Sequence, residues 1–131
     1  MTSSNTPAAR PAGLVLAALF GGAAVTLGAF AAHGMKGRYE EELLRTFETG
    51  VRYQMYHALA LFGCAALQAI GYRTRLAVVM FSLGILLFSG SLYGLVFSER
   101  AWSWLGPVTP LGGVAFVVGW IALMFARRPA S

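Results

Sequence analysis

The stretch that decides the fold is LAVVMFSLGILLFSGSLYGLVF, residues 76–97, which contains no Asp, Glu, Lys or Arg. Three more stretches share this property, at residues 11–35, 53–72 and 101–126. A helix needs about 20 mostly apolar residues to cross the hydrocarbon core of a bilayer. The sequence therefore predicts an all-α protein, a four-helix transmembrane bundle with spans at about residues 12–32, 53–72, 76–97 and 109–126.

The composition is that of a membrane protein rather than a water-soluble domain. The 131 residues are 57% hydrophobic and 11% charged, whereas soluble domains carry about 25% charged residues. The net charge of +5 comes from basic residues that flank the apolar stretches singly or in pairs, which is typical of loops that meet anionic headgroups. No basic patch with interleaved aromatic residues occurs, so the lipid bilayer is expected as a partner and nucleic acid is not.

The N-terminal segment differs from the rest of the chain. Residues 1–11 are rich in Ser, Thr, Ala and Pro, which predicts a disordered tail before a single four-span domain at residues 12–128. A cleaved signal peptide is the alternative, because Ala29-Phe30-Ala31 has the small-x-small form of a cleavage site. A retained span is favoured, since the apolar stretch exceeds the about 7–15 residues of a signal core and only Arg10 precedes it.

The segment between the first two spans predicts a short amphipathic interfacial helix at residues 39–52. Apolar side chains recur there every four residues, and charged side chains occupy the opposite side. Glu48 and Arg52 have the i,i+4 order that favours an ion pair. Such a helix lies in the interface plane or packs as a solvated cap on the end of the bundle, and the pattern does not separate these arrangements.

Charge is distributed differently at the two ends of the predicted bundle. The end that carries both termini, here called side A, has five arginines and no acidic residue. The other end, side B, has five basic residues mixed with all five glutamates. The basic counts are equal, but the side A arginines lie in very short segments at the span ends, so side A is expected to be cytoplasmic. The side A arginines are Arg10, Arg73, Arg75, Arg127 and Arg128.

Polar residues fall on one face of three spans. His57 shares a helix face with Tyr53 in the second span, and Thr26 shares one with His33 in the first. Because polar groups are costly in lipid, these faces are expected to point into the bundle. Thr109 is also expected to cap the fourth helix. The candidate polar cluster in the side B half is His33, Tyr53, His57, Ser89, Tyr93 and Thr109.

Small residues indicate where helices approach closely. Gly28 lies in a small-residue ladder of the first span, Gly90 and Gly94 form a G-x-x-x-G in the third, and Gly112-Gly113 open the fourth. Close backbone packing and hydrogen bonds between helices hold bundles together in lipid. The same reasoning makes structural stabilisation the favoured interpretation of the polar cluster, ahead of a ligand site.

Two blocks of sequence resemble a known family. LGAFAAHG at residues 27–34 and FETGVRYQMYHA at residues 47–58 are similar to the YgdD-like membrane proteins, bacterial relatives of transmembrane protein 256. SGSLY at residues 89–93, TPLGG at 109–113 and GW at 119–120 match later blocks, so the resemblance covers about residues 21–123. It implies a four-span inner-membrane protein, but the family is one of unknown function and supplies no activity.

Three functions remain open on this sequence. The favoured one is a non-catalytic protein that assembles with itself or with another membrane protein. The alternative is a small transporter or channel with a polar side B cavity lined by His33 and His57, whose imidazoles would relay protons. The third is a bis-histidine haem or metal site on the same residues.

Cofactors and catalysis are not expected. Zinc needs three or four ligands, and Cys64 lies about 10 Å from His57 along the helix axis. No metal ligand set or cofactor motif therefore emerges. No G-x-S-x-G, H-E-x-x-H or P-loop motif occurs, so an enzyme is not expected either.

Overall fold

The computed structural model describes residues 9–130, and the regular structure in that range is entirely helical. The helices are α1 (Ala12–Met35), α2 (Glu41–Ala69), α3 (Arg75–Phe97) and α4 (Val108–Met124). α1 ends in a π-helical turn at Ala31–Met35, and α3 contains one at Ile85–Ser89. A 3₁₀ turn at Ser103–Leu105 precedes α4. Residues 1–8 of the predicted disordered tail lie outside the described residues.

Three segments are long and apolar enough to cross a membrane, at Ala12–Met35, Arg75–Phe97 and Ser103–Met124. α2 is not among them, because its first half is charged and its middle contains Tyr53, Gln54 and His57. The all-α class is thus confirmed, with three candidate spans in the part of the chain that the structure describes.

α2 differs from the sequence prediction. The predicted interfacial helix and the predicted second span form one continuous helix from Glu41 to Ala69, with no break at Arg52. The reason is that one buried stripe runs through both segments. At 1.5 Å per residue its 29 residues extend about 44 Å, beyond the about 30 Å of hydrocarbon core. The stripe has alternating spacings of four and three residues: Leu43, Phe47, Gly50, Gln54, His57, Leu61 and Cys64.

α2 is also the central helix of the bundle. It packs against α1 on one side and against α3 on the other, and α4 packs on α3. α1 packs mainly on α2, and its buried residues up to the π turn are all small: Gly13, Ala17 and Ala24. α1 therefore leaves most of its circumference uncovered by the rest of the chain.

Contacts at side A bring four helix ends together. A Cβ atom at Gly13 would lie 3.6 Å from Ala65 Cβ and 3.4 Å from Val78 Cγ2, so the start of α1 lies against the second half of α2 and the start of α3. The Arg73 amide donates to the Arg127 carbonyl at 3.0 Å, which brings the residues after α4 to the same end.

The predicted glycines differ in what surrounds them. Gly112 faces the backbone of Phe88 so closely that a Cβ would overlap its amide nitrogen, and a Cβ at Gly94 would lie 2.5 Å from Leu105. Gly28 and Gly113 have ordinary contacts, at 3.5 and 4.0 Å. Gly90 is exposed with nothing within 4 Å, so it makes no helix contact within the chain. The G-x-x-x-G motif of α3 therefore does not act as one packing unit.

We expect Gly112→Ala to lower the free energy of unfolding in detergent by about 1–3 kcal/mol, because the added methyl group meets immovable backbone rather than a flexible side chain. Gly90→Ala is the matched control. It should be neutral or stabilising by up to about 1 kcal/mol, since alanine favours helix and nothing obstructs its methyl group. Equal thermal or denaturant unfolding of the two variants would contradict the close approach of α3 and α4.

Candidate functional site

The candidate polar residues lie in three hydrogen-bonded groups rather than around one cavity. Between α2 and α3, Tyr93 bonds to Gln54, and Ser89 bonds to the Gly50 carbonyl. His57 lies among aromatic side chains with Tyr53, and Thr109 bonds to Ser91. The remaining candidate, His33, belongs to none of these groups.

Gln54 connects three helices. Its side chain is buried, its Nε2 donates to the Phe20 carbonyl of α1 at 2.9 Å, and its Oε1 accepts from the Tyr93 hydroxyl of α3 at 2.8 Å. A buried amide without partners in an apolar medium costs several kcal/mol. The two bonds therefore fix α1 and α3 at defined heights on α2.

Ser89 and Gly50 form the second link between α2 and α3. The fully buried Ser89 hydroxyl donates to the Gly50 carbonyl at 2.7 Å. A Cβ at Gly50 would lie 2.8 Å from Cε1 of Tyr93, so the glycine makes room for the tyrosine ring. Ser82, two turns earlier on α3, instead bonds to the Val78 carbonyl of its own helix at 2.8 Å. The π turn at Ile85–Ser89 begins after Ser82 and ends at Ser89, and such a turn changes the face that a helix presents.

His57 is buried with both ring nitrogens engaged. Nδ1 lies 2.7 Å from the Tyr53 carbonyl oxygen, and Nε2 lies 3.2 Å from the indole nitrogen of Trp120. A carbonyl only accepts and an indole N–H only donates, so the arrangement requires a neutral imidazole with its proton on Nδ1. The ring also stacks on Phe116 with centroids 3.5 Å apart.

This geometry opposes both ligand hypotheses for His57. Coordination of haem iron or zinc through Nε2 would remove the acceptor that Trp120 uses. Protonation would set two N–H donors against each other. Residues 9–130 also contain no group of three or more His, Cys, Asp or Glu side chains that could hold a metal ion.

His33 lies away from this site. It is part of the π turn that ends α1, and its side chain is exposed, as is that of Thr26. The prediction that this stripe faces inward is therefore wrong. Thr26 satisfies its hydroxyl by donating to the Gly22 carbonyl of its own helix at 3.0 Å, so it needs no partner in the interior. A cavity shared by His33 and His57 is not formed.

Thr109 joins α3 to α4 instead of capping a helix. α4 begins at Val108, and no side chain caps it. Ser91 donates to the Phe88 carbonyl at 2.9 Å, so at 2.6 Å Thr109 is the donor and Ser91 the acceptor. Across the described residues, every buried side-chain nitrogen and oxygen has a hydrogen-bond partner. The three groups are thus complete without a ligand.

Comparison with known proteins identifies the family. Residues 27–113 match the family model DUF423, described as a protein of unknown function. The chain belongs to the DUF423 family. It is 47% identical to the UPF0382 membrane protein YwdK of Bacillus subtilis over 117 residues, covering 86% of this chain and 93% of that protein.

Further members of the family agree with this assignment. The chain is 37% identical to the UPF0382 inner membrane protein YgdD of Escherichia coli over 118 residues, covering 85% of each chain. It is 44% identical to a UPF0382 membrane protein of Haemophilus influenzae, covering 86% of this chain and 90% of that protein. No solved structure matches. The predicted resemblance and the assignment to a family of membrane proteins are confirmed.

Sequence analysis missed two central residues of this DUF423 protein, Gln54 and Trp120. Gln54 is 4% exposed, whereas its neighbour Tyr53, which was placed on the inward face, is 40% exposed. The spacing of buried residues in the amphipathic segment, continued into the span, leads to Gln54 and not to Tyr53. No sequence signal pairs Trp120 with His57, which is 63 residues away.

The charged surface also differs from prediction. Within residues 9–130 the ion pairs are Arg45–Glu41 at 2.6 Å and Arg100–Glu42 at 2.9 Å, and the predicted Glu48–Arg52 pair is not formed. Exposed ion pairs contribute about 0–1 kcal/mol to stability. The i,i+4 spacing of two charged residues therefore does little to decide which ion pairs form. The Arg100–Glu42 pair joins the loop after α3 to the start of α2.

We expect Gln54→Leu and Tyr93→Phe each to destabilise the protein in detergent, and the double variant to lose less than the sum of the two. Both substitutions remove the same hydrogen bond, so a double-mutant cycle should give a coupling of about 0.5–2 kcal/mol. Tyr56→Phe is the control, because Tyr56 is 55% exposed. Additive losses would show that the Gln54–Tyr93 bond does not hold α2 to α3.

Proposed function

We propose that this DUF423 protein is a non-catalytic inner-membrane protein that spans the bilayer four times and assembles with itself through α1. The observation that carries the proposal is a contrast between the interior and the surface. The buried polar side chains of the described residues all have hydrogen-bond partners, whereas one face of α1 is not covered by the rest of the chain.

The state of the serine hydroxyls supports a non-catalytic role. The hydroxyl groups of Ser82, Ser89 and Ser91 each donate to a backbone carbonyl oxygen. A nucleophilic serine instead needs its proton directed at a base such as histidine. His57 is occupied by Tyr53 and Trp120, so it is not placed to serve as that base.

The position of α2 supports a fourth span. Two candidate spans, α1 and α3, flank it, and from Tyr53 to its end it carries no charged residue. Residues between two spans share their surroundings, and the buried polar side chains of α2, Gln54 and His57, are hydrogen-bonded within the bundle, as hydrocarbon requires. The charged first turns of α2 would project into the headgroup layer.

Four spans place both termini on one side, and the proximity of Arg73 to Arg127 agrees with this. We propose that this side faces the cytoplasm, since its arginines directly flank the spans and no acidic residue lies among them.

The proposed assembly surface is the α1 outer face, formed by residues 18, 22, 26, 29 and 33 at spacings of three and four. All five residues are exposed, and a Cβ at Gly22 would meet nothing within 4 Å. Packing within the chain thus gives no reason for a small residue at Gly22. Small residues on a lipid-facing surface let a second helix approach closely. The residues are Ala18, Gly22, Thr26, Ala29 and His33.

The topology can be tested by cysteine labelling in a Cys64→Ala background. With a membrane-impermeant maleimide and intact spheroplasts, Lys36→Cys should be labelled, and Arg73→Cys should be labelled only after permeabilisation. The two residues precede and follow α2 and are both exposed. Labelling of both from one side would contradict a spanning α2, while the reversed pattern would contradict only the orientation.

Self-assembly can be tested in native membranes with the same cysteine-free background. Oxidation of Thr26→Cys should give a disulfide-linked dimer, because the α1 outer faces of two copies would meet there. Val114→Cys, on α4 and 60% exposed, is the control and should stay monomeric. Equal dimer yields would indicate random collision, and a monomeric mass for the protein in mild detergent would contradict assembly.

A further inference from the structure

A groove of about 480 Å³ opens at side A between the start of α1, the end of α2 and the first turns of α3. This volume falls within the about 300–1,000 Å³ of small-molecule sites. Arg75 lies at its outer end and Ser82 at its inner end, about 10 Å apart along the axis of α3. The groove therefore descends from the level of the span ends into the apolar part of the bundle. Its walls include Leu16, Gln68, Val78 and Val79.

The surroundings of the groove carry positive charge only. Arg75 lines the groove. Arg73 lies two residues earlier, and its backbone amide donates to the Arg127 carbonyl. Arg10 precedes α1 by two residues, and Arg128 lies over the Tyr72 ring at 5.1 Å. All five glutamates belong to side B segments, and both ion pairs of the described residues lie there too. Within residues 9–130, the arginines at side A thus have no acidic side chain in their own segments to neutralise them.

The start of α3 adds further attraction for an anion. Thr74 precedes the helix but does not cap it, because its hydroxyl donates to the Cys64 carbonyl at 3.1 Å. The first-turn amides of α3 therefore have no side-chain acceptor. Uncapped amides and the positive end of the helix dipole favour phosphate.

A ligand that fills the whole groove must have a different chemical group at each end. The Arg75 guanidinium suits a phosphate, which it can bind through two parallel hydrogen bonds. The aliphatic wall of Leu16, Val78 and Val79 suits a hydrocarbon chain. The Gln68 amide also lines the groove and suits an ester carbonyl. A free anion would leave the aliphatic wall unused, and a neutral lipid would leave the arginines unpaired.

We propose that this groove binds an anionic phospholipid, with its phosphate on Arg75 and one acyl chain along the wall between α1 and α3. The lipid would fill the gap between the start of α1 and the rest of the bundle. This inference concerns side A and is independent of the α1 outer face, so either proposal can fail without the other.

Native mass spectrometry of the detergent-solubilised full chain tests the proposal with phosphatidylglycerol, phosphatidylcholine and inorganic phosphate as probes. We expect phosphatidylglycerol to be retained preferentially. Arg75→Gln should weaken its retention about tenfold or more, as expected for loss of a charge-assisted hydrogen bond to phosphate. Arg38→Gln removes the same charge from side B and should leave retention unchanged.

A second pair of variants tests the groove without altering charge. Val79→Trp places an indole in the groove and should also weaken phosphatidylglycerol retention, whereas Leu83→Trp, one turn further on and outside the groove, should not. Three results would overturn the proposal: equal retention of the two lipids, equal losses in Arg75→Gln and Arg38→Gln, or displacement of the lipid by millimolar inorganic phosphate.

Discussion

The pair of hydrogen bonds made by Gln54 is the constraint on which the arrangement of the bundle depends. One side-chain amide joins the α1 backbone at Phe20 to the Tyr93 hydroxyl of α3, across the central helix. Inside the bundle there is no water to replace either partner, so sliding one helix past another would leave buried polar groups unpaired. This bond matters for α1, because the residues that this helix buries before its π turn are all small and contribute little apolar surface.

The same requirement explains why the buried polar side chains of the described residues all have hydrogen-bond partners. His57, Ser89, Ser91 and Thr109 point inward, as polar groups in a membrane must, and each meets a partner from a neighbouring turn or helix. A functional histidine or serine needs a free nitrogen or a directed proton, and these residues have neither. We propose that interaction with other molecules uses the outer surfaces, chiefly the uncovered α1 outer face and the arginine-rich groove at side A.

The features that could be predicted from the sequence are those that depend on one helix alone. Features that depend on a contact between two helices could not be predicted. Apolar length located α1, α3 and α4, and the spacing of small residues pointed to Gly112. Which face of each helix points into the bundle could not be predicted as well. Thr26 was assigned to the interior because it is polar, yet a bond to its own backbone frees it from that need. The four-residue spacing from His57 points to Tyr53, whereas the buried stripe of α2 alternates spacings of four and three residues and therefore includes Gln54.

What the sequence by itself determined is the solvent: its uncharged stretches, bounded by charged residues, have the length of a helix that crosses lipid, and such a helix pairs its own backbone amides without water. Only the tertiary structure decided which polar atoms meet. The Trp120–His57 and Tyr93–Gln54 bonds join residues 63 and 39 positions apart, and such partners follow from the relative height and rotation of packed helices. Those quantities depend on side-chain shapes at several contacts at once, such as Phe88 against Gly112, and no periodicity within one helix encodes them.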